Sequence, residues 1–507
     1  MFPRPDTKFP KKPTNINSAL ISRNWPQMKM ASTAMDGAIR NCKQPARKVQ
    51  SVAVGVLCIV LSGLGGCATL PDIAAPQAAG KTSPQIVGRR GPLTADQSKT
   101  ILERLGTDNG DDALLKRHTA YEEAISERPL ITGNRTRLLR DGPQTFRAMF
   151  SAMQSARNHI NLEYYIFEDV ESEDAHLGDL LIAKRQAGVA VNVIYDSYGS
   201  GSTATIFLNR LRQAGINLVS YNPVNPLKSK VPYSFNDRDH RKILVVDGKI
   251  AIIGGVNLST AYQSNPIGKS GGPPGSTQDQ WRDTDLQIEG PAVAELQKLF
   301  LDHWTAQKGP LLDQSTMYPV ALPRGNAVAR VLGSTPTNEV PLYYVTILTA
   351  IRTAEKSIKI TTAYFAPTQQ EVEALTAAAR RGVDVRLLLP ASSDSPLSIA
   401  VAHARYFDLL SSGVKIYELH DVVLHSKTIV VDGVWSALGS SNFDHRSVIF
   451  NDEVDVVVVG SDAAQELEDL FQTNQAAATP IELRTWKARP IWVRLNEMYS
   501  LAWERML

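Results

Sequence analysis

Apolar positions in this chain fall into two patterns. Some recur three to four residues apart, as on one face of a helix. Others run together over four to eight residues, as in a strand buried on both sides. From residue 155 onward the two patterns alternate, and the alternation then repeats. The run SARNHINLEYYI at 155–166 is echoed by TAEKSIKITTAY at 353–364, in each case a helix end leading into a strand. KRQAGVAVNVI at 184–194 matches AARRGVDVRLL at 378–388, and LRQAGI at 211–216 matches LLSSGV at 409–414. In the longer pair a helix closes at a glycine, Gly188 or Gly382, and a buried strand follows. Strand–helix–strand–helix–strand, twice over, predicts an α/β fold of two pseudo-symmetric lobes, each a sheet flanked by helices.

Both repeats end in a predicted hairpin, HRKILVVDGKIAIIGGVN at 240–257 and HSKTIVVDGVWSALGSSN at 425–442. Asp-Gly between β-branched runs signals a two-residue turn. The hairpins also carry the chemistry. Each contains H-x-K-x4-D, as His240, Lys242 and Asp247 in the first and His425, Lys427 and Asp432 in the second. Three fixed residue types at ordinary frequencies give roughly 0.03 chance matches per 500 residues, so two matches at equivalent places in a repeat are not accidental. The agreement extends outward to Asn257 and Asn442, at the same spacing from their histidines. Aligning the strands that end at Gly290 and Gly460 also sets Asp283 opposite Glu453.

In a strand, residues two apart share a face, so each histidine projects with its lysine. An imidazole beside an ammonium suits a phosphate: one attacks or moves protons, the other holds non-bridging oxygens. Two such units facing each other would put imidazoles on opposite sides of one phosphorus, as in-line displacement needs. Asp283 and Glu453 are expected to orient the rings. Asp247 and Asp432 enter the candidate set as supporting residues, and Asp-Gly turns alone explain them equally well. The other seven histidines, His118 and His303 among them, read as ordinary surface or core residues.

The paired H-x-K-x4-D motifs, with GGVN at 254–257 and GSSN at 439–442, resemble the phospholipase D superfamily. Within it DHRKILVVDG at 239–248, WRDTD at 281–285, GSSNFDHRS at 439–447 and LEYYIF at 162–167 resemble bacterial cardiolipin synthases, over about residues 138–460. The resemblance implies two lobes of phospholipase D type with the active site at their interface, at 136–325 and 326–507. It also implies condensation of two phosphatidylglycerol molecules to cardiolipin and glycerol, through a phosphatidyl-histidine. His240, Lys242, Asp247, His425, Lys427 and Asp432 would be the catalytic set, with Asn257 and Asn442 on the phosphate. It implies no metal or cofactor, and the sequence offers no H-E-x-x-H motif and no cysteine cluster. A phospholipid hydrolase, a nuclease on the same scaffold and a scaffold protein with a decayed site are the competing readings. In one respect the chain departs from those synthases, which commonly begin with two spanning helices; here there is one apolar segment.

Charge and the N-terminus add an address. The net charge of the 507 residues is +3, but residues 1–66 hold ten Lys/Arg and two acids, leaving 44 basic and 49 acidic residues beyond them. An acidic body does not suit nucleic acid, which demands many cations. Residues 51–66, SVAVGVLCIVLSGLGG, are uncharged and short for a spanning helix, and they end at Cys67 in a pattern like a bacterial lipobox. The segment reads either as a signal peptide cut before a lipidated Cys67 or as a single uncut anchor. The polar stretch before it is long, and Met28, Met30 and Met35 are alternative starts. Both readings put the body at a bacterial membrane, facing the periplasm or exterior. Residues 67–135 are expected to hold a tether, at 68–100, and helices before the first lobe. Residues 263–280, rich in Gly, Pro and Ser, are a candidate lid or a plain surface loop. The segment from Pro490 reads as an amphipathic helix, set either against the body or on a membrane, with Trp492 and Trp503 at the headgroups.

Overall fold

A computed structural model describes residues 84–106, 112–126, 128–263, 281–336 and 340–507. The apolar segment, Cys67 and nearly all of the candidate lid lie outside these residues.

Strands Asn217–Tyr221, Ala190–Asp196 and His159–Tyr164 pair in parallel. Lys242–Val246, Ile250–Gly254, Asp285–Glu289 and Leu130–Leu139 then extend that sheet antiparallel. The second lobe repeats the order. Lys415–Leu419, Asp384–Pro390 and Ser357–Thr361 pair in parallel, followed by Thr428–Val431, Trp435–Gly439, Asn451–Val459 and Ala327–Ser334 antiparallel. The half-sheets meet where Ala327–Ser334 runs antiparallel to Leu130–Leu139.

Strands buried on both sides need two cores, which is why the runs read as continuously apolar. On one face of each half-sheet sits its own helix layer, with Phe146, Met149 and Leu181 in the first lobe and Leu348, Leu375 and Leu409 in the second. On the other face the half-sheets share a core. Ile243, Val245 and Ile253 from one pack with Val430, Val454 and Val456 from the other. The ends of both motif strands are thus fixed against a common interior.

Helix stops fall where glycine predicts them: Gly188 and Gly382 have φ of 91° and 95°. Two expectations change. Each hairpin turn has three residues, since Val246 pairs with Ile250 and Val431 with Trp435. Asp247 and Asp432 take positive φ there because their carboxylates reach back to the chain entering the neighbouring strand. The tether reading also fails for its described part. Ile86–Gly88 pairs with Leu130–Leu139, and Thr94 caps the helix Ala95–Leu105, with Ile86 and Leu102 in the second lobe's core. Among the described residues no helix is long and apolar enough to cross a membrane.

Candidate active site

Two short strands cross between the lobes and place the histidines. Arg238–Asp239 pairs in parallel with Asn451–Val459, and the His240 N–H donates to Asp452 O at 2.9 Å. Trp281–Arg282 pairs in parallel with Val423–Leu424, and the His425 N–H donates to Arg282 O at 2.7 Å. Each histidine therefore sits next to the carboxylate that follows its partner in the other lobe. His240 Nδ1 lies 3.1 Å from both oxygens of Glu453, and His425 Nδ1 lies 2.6 Å from Asp283 Oδ2. Asp283 and Glu453 thus stand against the rings, and the pairing is crossed: each lobe's carboxylate holds the other lobe's imidazole.

The lysines fold back under their histidines. Lys242 Nζ donates to His240 O at 2.5 Å, and Lys427 Nζ donates to His425 O and lies 2.8 Å from its Nδ1. Asn257 Oδ1 accepts from the Ile166 N–H, while its Nδ2 donates to the Tyr262 hydroxyl, itself 3.0 Å from His425 Nδ1. Asn442 is buried, and its Oδ1 has no hydrogen-bond partner among the described residues.

Burial sets the electrostatics. It outweighs Glu453 and, with Lys242 adding to it, pushes His240 down to about 4. Burial followed by Lys427, Lys242 and His240 drives His425 well below its usual value. Lys242 falls to about 7 and Lys427 to about 8, burial exceeding the pull of Glu453 on the first and Asp283 on the second. The carboxylates diverge despite their equivalence. Burial raises Asp283 to about 7. Against the same burial, His240, Lys242 and the Ser440 hydroxyl hold Glu453 at about 2. Glu453 also accepts from Ser447 Oγ and Asn451 Nδ2, at 2.9 and 3.1 Å. At the place equivalent to Ser440 the first lobe has Gly255, where an added Cβ would stand 2.2 Å from Asp283 Oδ1.

The remaining candidates do not join this group. Asp247 and Asp432 sit at the far ends of their motif strands, about 16 Å of extended chain from the lysines. Asp247 accepts from the N–H groups of Arg157, Asn158 and His159. Asp432 accepts from those of Glu355, Lys356 and Ser357 and lies 3.0 Å from His118 Nε2. These two members of the expected catalytic set lie apart from the imidazoles: a carboxylate turned to three amides at a hairpin is a brace.

Sequence reasoning also missed several neighbours. Tyr165 meets the His240 ring edge-on at 5.3 Å, and Trp281 and Tyr364 lie 5.1 and 6.0 Å from the His425 ring. Arg241 lies between the motif residues, in the two-residue gap between strands Arg238–Asp239 and Lys242–Val246. Its guanidinium donates to Glu163, Asp452, Ser334 O and Glu453 O, bridging the lobes. Beside it Glu163, Asp239 and His303 offer ligand atoms within 4.8 Å of one another. The Arg241 cation already serves Glu163 in that cluster, and His303 Nδ1 stands 2.7 Å from the same carboxylate.

The chain also resembles known proteins. A family model described as "Cardiolipin synthase, PLD-like domain" matches residues 149–265 and 347–474, one stretch in each lobe. The chain is 33% identical to the cardiolipin synthase of Geobacillus thermodenitrificans over 408 residues, 80% of this chain and 78% of that one. It is 31% identical to cardiolipin synthase 1 of Bacillus anthracis over 372 residues, 72% and 71% of the two chains. In fold it resembles the crystal structure of phosphatidylserine synthase from Haemophilus influenzae, with a TM-score of 0.58, 13% identity, and coverage of 78% of this chain and all of that one. Identity sustained across four fifths of the length, through both lobes, reflects common descent, and the chain therefore belongs to the cardiolipin synthase family, with its paired phospholipase D-like domains.

Proposed function

We propose that this protein is a phosphatidyltransferase that condenses two phosphatidylglycerol molecules into cardiolipin and glycerol at a bacterial membrane. The crossed histidine–carboxylate pairing carries this reading, because it fixes one imidazole of each lobe against a carboxylate of the other, as two imidazoles acting on one phosphodiester require. His240 Nε2 attacks the donor phosphorus and the phosphorus–glycerol oxygen bond breaks, leaving a phosphatidyl-histidine. His425 gives a proton to the departing glycerol oxygen. His425 then takes the proton of the acceptor's hydroxyl, whose oxygen attacks phosphorus and releases His240. Lys242, Lys427, Asn257 and Asn442 hold the non-bridging oxygens.

The divergence of the carboxylates favours these roles. Glu453 stays ionised across the working range, so it fixes the Nδ1–H tautomer of His240 and stabilises the positive charge that builds on the ring. Asp283, raised to about 7 by burial and 2.6 Å from His425 Nδ1, holds that ring in place for a step that gives and takes one proton per turnover.

The test is expression in bacterial cells lacking cardiolipin synthases, followed by lipid analysis. Cardiolipin should appear with the wild type and vanish with His425→Ala. Phosphatidic acid alone would make the protein a hydrolase, and unchanged lipids would remove the reading. A phosphoryl group trapped on His425 would reverse the two roles.

A further inference from the structure

The last helix of the chain is turned inside out. Ile491–Ser500 and the 3-10 turn Leu501–Met506 pack on Pro396–Ser411 and His445–Ile449. The residues they bury there are polar: Glu497, Ser500 and Glu504. Arg489 grips Glu497 through both oxygens at 2.7 and 2.8 Å, and Arg405 holds Glu504 at 2.6 Å. The large apolar side chains face outward instead. Ile491, Trp492, Leu495, Met498, Tyr499 and Met506 are all more than half exposed. A helix whose only buried face is polar normally gains nothing from its apolar face, since water meets it.

Charge says what covers this face. The acids of residues 483–507 are Glu497 and Glu504, and both are buried against arginines. Arg484, Lys487, Arg494 and Arg505 are exposed. The outer surface of residues 483–507 is thus apolar with cations alone, the exposed acid nearest in sequence being Glu482 just before it, and this is the composition of a helix lying in the headgroup layer of an anionic bilayer. A second copy of the chain would set the same four cations against each other across a twofold axis.

The surface continues toward the site. The Arg446 N–H donates to the carbonyl of Leu507, and its guanidinium donates to Asn236 O. One residue on, Ser447 bonds Glu453. Asn236 belongs to the loop leading to His240, which exposes Val224, Leu227 and Phe235 beside Lys228 and Lys230.

We infer that residues 491–506 form an interfacial docking surface for an anionic phospholipid bilayer. It holds the body on the membrane independently of the N-terminal segment and brings the histidines to the headgroup layer. This rests on the proposed reading only in that the substrate is a bilayer lipid.

The test uses the full-length protein with vesicles of phosphatidylglycerol or of phosphatidylcholine, each doped with a brominated lipid that quenches tryptophan at the acyl level. The quenching lost in Trp492→Phe reports that residue whatever the N-terminus does. It should appear with phosphatidylglycerol vesicles and not with phosphatidylcholine. Leu495→Glu/Met498→Glu should lower transfer on phosphatidylglycerol vesicles by ~10-fold or more, while transfer on short-chain phosphatidylglycerol dissolved as monomers stays within ~2-fold. Trp492 left unquenched by phosphatidylglycerol, or shielded without lipid as protein concentration rises, would overturn the inference, the latter in favour of a second copy. Equal losses on both substrate forms would overturn it too. A wild type that is quenched at Trp492 but transfers on neither form supports the surface and removes the proposed function.

Discussion

Replacing Glu453 by glutamine separates the crossed pairing from mere crowding of polar groups. Glutamine keeps the shape and one acceptor oxygen but cannot carry the charge. In the folded protein this carboxyl sits at about 2 rather than its ordinary 4.5, a preference for the ionised form of about 3 kcal/mol. Two consequences follow from that figure. The charge that builds on His240 during attack loses its counterion, and about 3 kcal/mol on the barrier is a loss of ~10²-fold in kcat with KM little changed. Stability responds in step. A depressed carboxyl stabilises the fold fully above its unfolded value near 4.5 and loses that contribution as pH falls toward about 2. The variant should therefore be less stable than the wild type at pH 7 by up to about 3 kcal/mol, and the gap should close between pH 5 and 2. Denaturant unfolding across that range, with kcat and KM measured on the folded variant, supplies both numbers. A kcat within ~3-fold of the wild type, or a stability gap independent of pH, would refute the pairing as the source of reactivity.

Asp247→Asn should cost stability without touching chemistry. Three backbone N–H groups lose a charged acceptor, worth about 2 kcal/mol in denaturant unfolding, with kcat per folded molecule unchanged; a kcat collapse at full stability would return Asp247 to the catalytic set. The lysines predict an alkaline limb. With Lys242 at about 7 and Lys427 at about 8, kcat/KM should fall as pH rises through 7 to 8 and the free site loses its cations. The limb in kcat should lie higher, because bound phosphate holds the protons. A kcat/KM flat to pH 9 would show that these ammoniums do not serve binding.

The sequence by itself determined the duplication, the α/β class, the pairing of motif residues and the equivalence of Asp283 with Glu453. All of these are written locally, as periods of apolar residues and fixed spacings that any copy of the unit must carry. What only the tertiary structure decided is who meets whom. Glu453 turns to His240 because short strands cross between the lobes, and no spacing within one repeat encodes that. Equal positions became unequal acids because His240, Lys242 and the Ser440 hydroxyl hold one carboxylate ionised, while burial outweighs Lys427 and the Thr284 N–H at the other. Asp247 and Asp432 show the converse. The motif that marks them is real, yet an extended strand carries them away from the histidines to brace a turn. The final helix was legible as amphipathic, but the periodicity of a helix gives its two faces and not their order. Half-buried Arg405 and His403 on the neighbouring helix, with Arg489 just before its own start, drew its carboxylates inward and left the apolar side outside.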